Sequence, residues 1–202
     1  MRSIHEGAAK VHHPATGTSC VIIVISLMVS PPHLKILITR DEIAETVDRL
    51  AREIQRDYQG KEPLLIGILK GSFVFMADLI RRLDLPLELD FVRLSTYGGC
   101  RESSGKPRIA DGVKMPMKGK DVLVVEDIVD TGISTSFLLE YLKRKRPASL
   151  KLCALTDKPS RRRVTVPIDY RGFTVPNKFI VGYGLDCDQK FRNLPHIYTL
   201  ED

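Results

Sequence analysis

From residue 34 onward the apolar positions follow two alternating rhythms. LKILIT (34–39) is a short, largely apolar run that predicts a strand. Thr39-Arg-Asp-Glu42 follows at once with the spacing of a capping box, in which a hydroxyl and a carboxylate satisfy two helix-terminal N–H groups reciprocally. Ile43, Val47, Leu50 and Ile54 then recur at helical spacing, so a helix is expected to about Tyr58, with Gly60 ending it. PLLIGIL (63–69) is apolar throughout, as in a strand covered on both faces. SFVFMADLIRRL (72–83) predicts a helix and LELDFVRLS (87–95) alternates like a strand. Residues 97–112 have no rhythm; four glycines, Pro107 and many charges predict a mobile loop. VLVVE (122–126) is a second buried strand. Phe137 with Tyr141 and Leu138 with Leu142 are i,i+4 pairs on a helix that follows it. LKLCALT (150–156) and FIVGYGL (179–185) predict further strands. Strands that alternate with helices and are apolar along their length predict an α/β protein with a parallel sheet.

The first 33 residues stand apart. Residues 1–19 are polar and patternless, and CVIIVISLMV (20–29) is an apolar run closed by Pro31-Pro32. The run is shorter than the roughly 20 residues a membrane span needs. It is like a signal-peptide core, but no small-x-small cleavage site follows. Two readings stay open: the functional chain begins at Met28, or the run is an added buried strand. The expected organisation is an N-terminal extension, 1–33, and one domain, 34–202.

Composition narrows the function only a little. At 202 residues the chain can bury a sizeable core, and 43% hydrophobic with 28% charged residues is an ordinary globular balance. A net charge of +6 fits an anionic small molecule or a nucleic acid equally. Cys20, Cys100, Cys153 and Cys187 form no C-x-x-C pair, which argues against a zinc site or disulfide scaffold and for a reducing compartment. The His12-His13 doublet lies in the patternless segment and is read as solvated.

The chemistry concentrates in VLVVEDIVDTGIST (122–135). A buried strand runs into three carboxylates, Glu126, Asp127 and Asp130, and then into Thr131, Gly132, Ile133, Ser134 and Thr135. Ligands of parallel α/β sheets bind beyond the carboxyl ends of the strands. A helix N-terminus there offers outward N–H groups and a favourable dipole for an anion. Gly132 admits close backbone approach and the hydroxyls add donors, which makes a cradle for a phosphate monoester. Three neighbouring acids repel one another unless a sugar diol or a hydrated cation compensates them, so acids beside a phosphate cradle point to a sugar phosphate with Mg²⁺. The bland alternative is three acids that merely cap the helix. No G-x-x-x-x-G-K-[ST] or strand-following G-x-G-x-x-G is present, which disfavours a P-loop or dinucleotide site.

This stretch resembles the phosphoribosyl-diphosphate motif of type I phosphoribosyltransferases. LKGS (69–72), STYGG (95–99), DKPSRR (157–162) and NKFIVGYGLDCDQKFRNLPHIY (177–198) extend the resemblance to the hypoxanthine-guanine branch over residues 34–202. The resemblance implies a mostly parallel twisted sheet flanked by helices, a small base-binding lobe or hood, and a flexible lid loop. It implies transfer of a phosphoribosyl group from 5-phosphoribosyl diphosphate to N9 of hypoxanthine or guanine, giving IMP or GMP and pyrophosphate. By the same resemblance Glu126 and Asp127 hold the ribose hydroxyls and help position Mg²⁺, Asp130 handles the proton at purine N7, and Thr131 to Thr135 hold the 5′-phosphate. Lys158 donates to the 6-oxo group, Phe179 stacks on the purine, and Ile180 meets the base edge through its backbone. Asp186, at the base end of the site, is a direct metal ligand beside Glu126 and Asp127. Arg192 and the Lys70-Gly71 loop bind pyrophosphate, with a cis peptide between Leu69 and Lys70. Thr96-Tyr97 lies where the family carries a Ser-Tyr pair on the lid. A cytoplasmic homodimer or homotetramer without membrane contact is expected. Alternatives kept open are a xanthine or pyrimidine phosphoribosyltransferase, and an RNA-binding regulator on this scaffold, to which Lys143-Arg-Lys-Arg146 and Arg161-Arg-Arg163 speak.

Overall fold

The computed structural model describes residues 33–95 and 106–201. The readings of the N-terminal segment and of Thr96-Tyr97 lie outside these residues. In chain order the strands are β1 (His33–Ile38), β2 (Leu64–Leu69), β3 (Glu88–Ser95), β4 (Arg108–Asp111), β5 (Asp121–Val129), β6 (Ser149–Asp157), β7 (Tyr170–Thr174), β8 (Ile180–Val181) and β9 (Ile197–Glu201). The helices are α1 (Arg40–Asp57), α2 (Phe73–Ile80) and α3 (Ile133–Lys143), with a 3₁₀ turn at Pro159–Arg161.

The six-stranded main sheet has the order β4-β3-β2-β5-β6-β7. All its pairings are parallel except that of β4, which adds antiparallel to β3 at one edge. The strands from β2 to β6 alternate their side chains between two cores. Leu65, Leu123, Val125, Cys153 and Leu155 pack with the buried stripe of α1 (Ile43, Val47, Leu50, Ile54) and with Phe75, Met76 and Leu79 of α2. Leu64, Ile66, Val122, Val124, Leu152 and Ala154 pack on the other face with Leu138 and Leu142 of α3. Each large aliphatic side chain so buried contributes about 1.5–3 kcal/mol, which is why the strands read as unbroken apolar runs. The predicted capping box is present: Thr39 Oγ1 accepts from Glu42 N and Glu42 Oε2 accepts from Thr39 N at 2.7 Å.

Four expectations change. Residues 97–112 are not all loop, because Arg108–Asp111 forms the edge strand β4. β5 runs past Glu126 and Asp127 to Val129, since its backbone stays paired with β6 there. FIVGYGL does not join the main sheet. Only Ile180–Val181 is strand, in a small antiparallel sheet of order β1-β9-β8 that also takes up LKILI. Finally, α2 is shorter than 72–83, ending at Ile80.

The chain crosses the main sheet in two directions. From β2 it passes through α2 to β3 on one side, and from β5 through α3 to β6 and β7 on the other. β2 and β5 are therefore adjacent strands whose following loops diverge, and this switch point is where α/β sheets bind ligands.

Candidate active site

Two loops leave the switch point. The one after β2 is Leu69-Lys70-Gly71, with a cis peptide between Leu69 and Lys70. Ser72 closes it: its buried hydroxyl donates to Ile68 O at 2.8 Å, and Phe73 N bonds Lys70 O. The loop after β5 is Asp130 to Gly132, running into the first turn of α3. Gly132 has φ +79, and a Cβ there would lie 2.2 Å from Val164 O. Only glycine meets both demands. The first N–H groups of a helix lack intrahelical acceptors, so the turn of Thr131 to Thr135 presents donors to the space beyond the sheet.

The acids are held differently from one another. Glu126 is buried and accepts a bond from Thr135 Oγ1 at 2.8 Å. Burial foremost, and then the charge of Asp127, pushes its carboxyl up to about 8, against the pull of the Thr135 hydroxyl and Arg162. Burial likewise pushes Asp127 up to about 6, although its own N–H, that of Ile128 and the Arg192 charge favour the ionised form; Asp186 works against them. A Cβ on Gly71 would stand 1.7 Å from Asp127 Oδ2, so the absence of a side chain in the first loop makes room for the acid of the second. Asp130 sits just past β5, with Arg161 Nε 3.1 Å from its Oδ1. Thr135 departs from the sequence expectation in one respect: its hydroxyl turns inward to Glu126, leaving its backbone N–H for an anion.

Lys158 begins the 3₁₀ turn after β6. Its N–H bonds Val129 O at 3.0 Å and its Nζ donates to Lys178 O at 2.8 Å, beside Phe179 and Ile180 of the small sheet. Burial lowers its pKa, and so does Arg161, while Asp130 opposes them. Phe179 is half-buried and Ile180 buried, and Leu200 N bonds Phe179 O. Lys158, Asp130 and the Phe179 region thus flank the Thr131–Thr135 turn from the side of the small sheet.

Arg192 and Asp186 form an ion pair at 2.8 Å. Arg192 Nη1 also donates to Gly184 O at 2.7 Å, and Gln189 N donates to Asp186 Oδ2 at 2.9 Å. Lys70 Nζ reaches Gln189 Oε1 at 2.9 Å. The structure therefore brings Lys70, Gly71, Asp127, Asp186 and Arg192 to one place. It does not gather Glu126, Asp127 and Asp186 into a cage: each has its own partner, and among the described residues no group of three or more acids, histidines or cysteines is disposed to hold a metal. A divalent cation fits this site only with oxygen ligands supplied by a substrate.

Sequence reasoning missed Arg162. Half-buried within a run that reads as surface charge, it donates to Asp130 O and Val129 O at 3.1 Å each, and to the carboxylate of buried Asp157. Arg163 N and Val164 N bond Thr131 O. The segment after Lys158 is thus a strap under the Thr131–Thr135 turn. The other basic run also has local partners: Lys143 pairs with Glu140, Arg144 Nε donates to Glu140 O, and Lys145 lies 5.0 Å over the Tyr141 ring.

Known proteins place this arrangement. The phosphoribosyl transferase domain profile matches residues 37–188. The hypoxanthine-guanine phosphoribosyltransferase of Streptococcus pneumoniae is 45% identical, over 83% of this chain and 93% of its own. This chain belongs to the hypoxanthine-guanine phosphoribosyltransferase family. A crystal structure of such a phosphoribosyltransferase from Bacillus anthracis, with HEPES in its active site, is 44% identical, with a TM-score of 0.79 over 84% of this chain and all of that one. The bifunctional protein TilS/HprT of Listeria innocua is 45% identical over 83% of this chain, but the chain spans only 26% of that relative's length. The fold is accordingly the type I phosphoribosyltransferase fold. Among the described residues no helix is long and apolar enough to cross a membrane.

Proposed function

We propose that the chain transfers the 5-phosphoribosyl group of 5-phosphoribosyl diphosphate to N9 of hypoxanthine or guanine, releasing pyrophosphate. The observation that carries this reading is the meeting, at the β2–β5 switch point, of a glycine-opened helix N-terminus, an acid-tipped strand and the Lys158–Phe179 edge of a second sheet. The backbone of Thr131 to Thr135 holds the 5′-phosphate. Glu126 and Asp127 accept from the ribose hydroxyls. Lys70, the Gly71 backbone and Arg192 hold the diphosphate and stabilise its charge as the bond from C1′ to oxygen breaks. The N9 lone pair forms the new bond to C1′, and Asp130 takes the proton that leaves N7. The Lys158 ammonium donates to the 6-oxo group, while Phe179 and the Ile180 backbone orient the base.

Mg²⁺ belongs to the proposal as the neutralising partner of the diphosphate, with Asp186 as its protein ligand and the substrate's own oxygens completing the set. Cytoplasmic residence is supported by Cys153, a buried thiol.

The test is turnover of hypoxanthine, guanine, xanthine, adenine and uracil with 5-phosphoribosyl diphosphate and Mg²⁺. Turnover confined to the 6-oxopurines is expected. Uracil or adenine as the preferred base would overturn the assignment. Tight RNA binding without any turnover would favour a regulator.

A further inference from the structure

The two halves of the diphosphate site come from segments far apart in sequence; Gln189 links Lys70 to Arg192 within the site, and a second link lies outside it. Lys70 and Gly71 lead directly into α2, so this helix carries their loop on its N-terminal end. Asp186 and Arg192 hang from the turn Gly182-Tyr183-Gly184, whose three residues all have positive φ (+99, +48 and +98). The turn touches the first half closely: a Cβ on Gly184 would lie 2.1 Å from Gly71 O. It grips the second half as well. Gly184 N bonds Arg192 O at 3.0 Å, Gly184 O accepts from Arg192 Nη1, and Tyr183 N bonds Leu194 O at 2.8 Å.

Tyr183 lies between these two glycines. A tyrosine with positive φ is disfavoured by roughly 1–2 kcal/mol, so surrounding contacts must hold it there. Its ring is buried, and its hydroxyl donates to Asp78 Oδ2 at 2.6 Å. Asp78, the sixth residue of α2, also pairs on its outer side with exposed Arg81, while Arg82 Nη1 donates to its carbonyl at 2.9 Å. No other side-chain hydrogen bond among those described ties α2 to the 182–192 segment.

We propose that the Tyr183–Asp78 hydrogen bond is a positioning device for diphosphate: it fixes the distance between the Lys70-Gly71 loop on α2 and the Asp186–Arg192 loop. The hydrogen bonds of the Tyr183 hydroxyl and Asp78 carboxylate reach none of the residues assigned to base or ribose, so the pair acts on the diphosphate grip alone. The inference rests on the assignment of this pocket to diphosphate in the proposed function.

The experiment compares wild type, Tyr183→Phe, Asp78→Ala, Asp78→Asn and Arg81→Gln. KM for 5-phosphoribosyl diphosphate, KM for hypoxanthine, and direct calorimetric binding of inorganic pyrophosphate with Mg²⁺ are measured, with the melting temperature of each variant. Misplacement of a site by about 1 Å costs up to about 10²-fold, so a rise of about tenfold in KM for the diphosphate and in Kd for pyrophosphate is expected in Tyr183→Phe and Asp78→Ala. KM for hypoxanthine should stay within about twofold. Asp78→Asn keeps an oxygen acceptor and should retain near-wild-type diphosphate binding, as should Arg81→Gln, which alters only an exposed ion pair. An equal loss for both substrates, a fall in melting temperature without a KM split, or unchanged diphosphate binding would each overturn the proposal. Should wild type neither bind pyrophosphate nor turn over hypoxanthine, the functional assignment itself fails, and the proposal with it. Wild-type binding with unaltered variants defeats the positioning role alone.

Discussion

Arg162→Met is predicted to cost more stability than any other single change in the basic runs. The wild-type guanidinium donates to Val129 O and Asp130 O at 3.1 Å each and to the Asp157 carboxylate. Asp157 is 5% exposed, and its other partner, Arg171, is 56% exposed. Methionine fills the space of the stem but leaves Asp130 O without the guanidinium, Val129 O with Lys158 N alone, and a buried carboxylate half-paired. Breaking a buried ion pair by removing one partner costs about 3–5 kcal/mol. For a chain of this size each kcal/mol moves Tm by about 2–4 °C, so a fall of roughly 6–20 °C is expected. Urea unfolding followed by circular dichroism, with calorimetric Tm as a check, measures it. Arg163→Met is the control: Arg163 is exposed, and its change should stay within about 0.5 kcal/mol. Adding Asp157→Asn to Arg162→Met should recover part of the loss, because the stranded charge goes with it. A loss under about 1 kcal/mol for Arg162→Met, or one equal to that of Arg163→Met, would refute the strap.

Three further predictions follow from the site and one from the sheet edge. Asp130→Asn should lower kcat by about 10²–10⁴-fold, the usual share of a general acid–base group, with 5-phosphoribosyl diphosphate binding kept; turnover within twofold of wild type would remove Asp130 from proton transfer. Lys158→Ala should raise KM for the purine more than KM for the phosphoribosyl donor, and equal losses in steady-state kinetics would contradict its contact with the base alone. Gly71→Ala should cut kcat/KM by tenfold or more, in line with the roughly 10²-fold cost of a 1 Å displacement, since its Cβ would stand 1.7 Å from Asp127 Oδ2; near-normal turnover would show that the carboxylate moves freely. Burial raises the Asp90 carboxyl, but the N–H groups of Met115, Phe91 and Lys114 outweigh it, and its pKa is lowered. A group so depressed stabilises the fold fully above its unfolded pKa of about 3.9 and loses that contribution as pH falls through the folded value. The stability gap between wild type and Asp90→Asn should therefore narrow between pH 6 and pH 3 in denaturant titrations, and a gap that widens there reverses the argument.

The parts of the fold that could be read in advance are those where one local signal suffices. The capping box at Thr39 and Glu42, the period of Ile43 to Ile54, and the unbroken runs of β2 and β5 each state their own structure. The end of β5 could not be read this way. Glu126 and Asp127 look like loop residues, yet their backbone continues a ladder that only the neighbouring β6 reveals. β4 is four residues of mixed polarity at an edge, where no core imposes a pattern. FIVGYGL is apolar enough for a strand, but Gly182 and Gly184 bend it after two residues. The site divides similarly. The acids and hydroxyls of 126–135 carry their chemistry in their spacing. Lys158, Phe179 and Arg192 gain meaning only through family resemblance, and Arg162, Asp78 and Tyr183 act through partners 33, 105 and 105 positions away in the chain.

The small sheet joins the two ends of the described chain, His33–Ile38 lying against Ile197–Glu201, with Ile180–Val181 on the far side of β9. The main sheet and the Thr131–Thr135 turn have all their strands by Thr174, whereas Phe179 is held through Leu200 N only once β9 is in place. Contacts that span most of a chain are the slow ones to close. On the proposed assignment, β9 is thus the strand that steadies the base side of the pocket, and removing Ile197–Glu201 would loosen that side first.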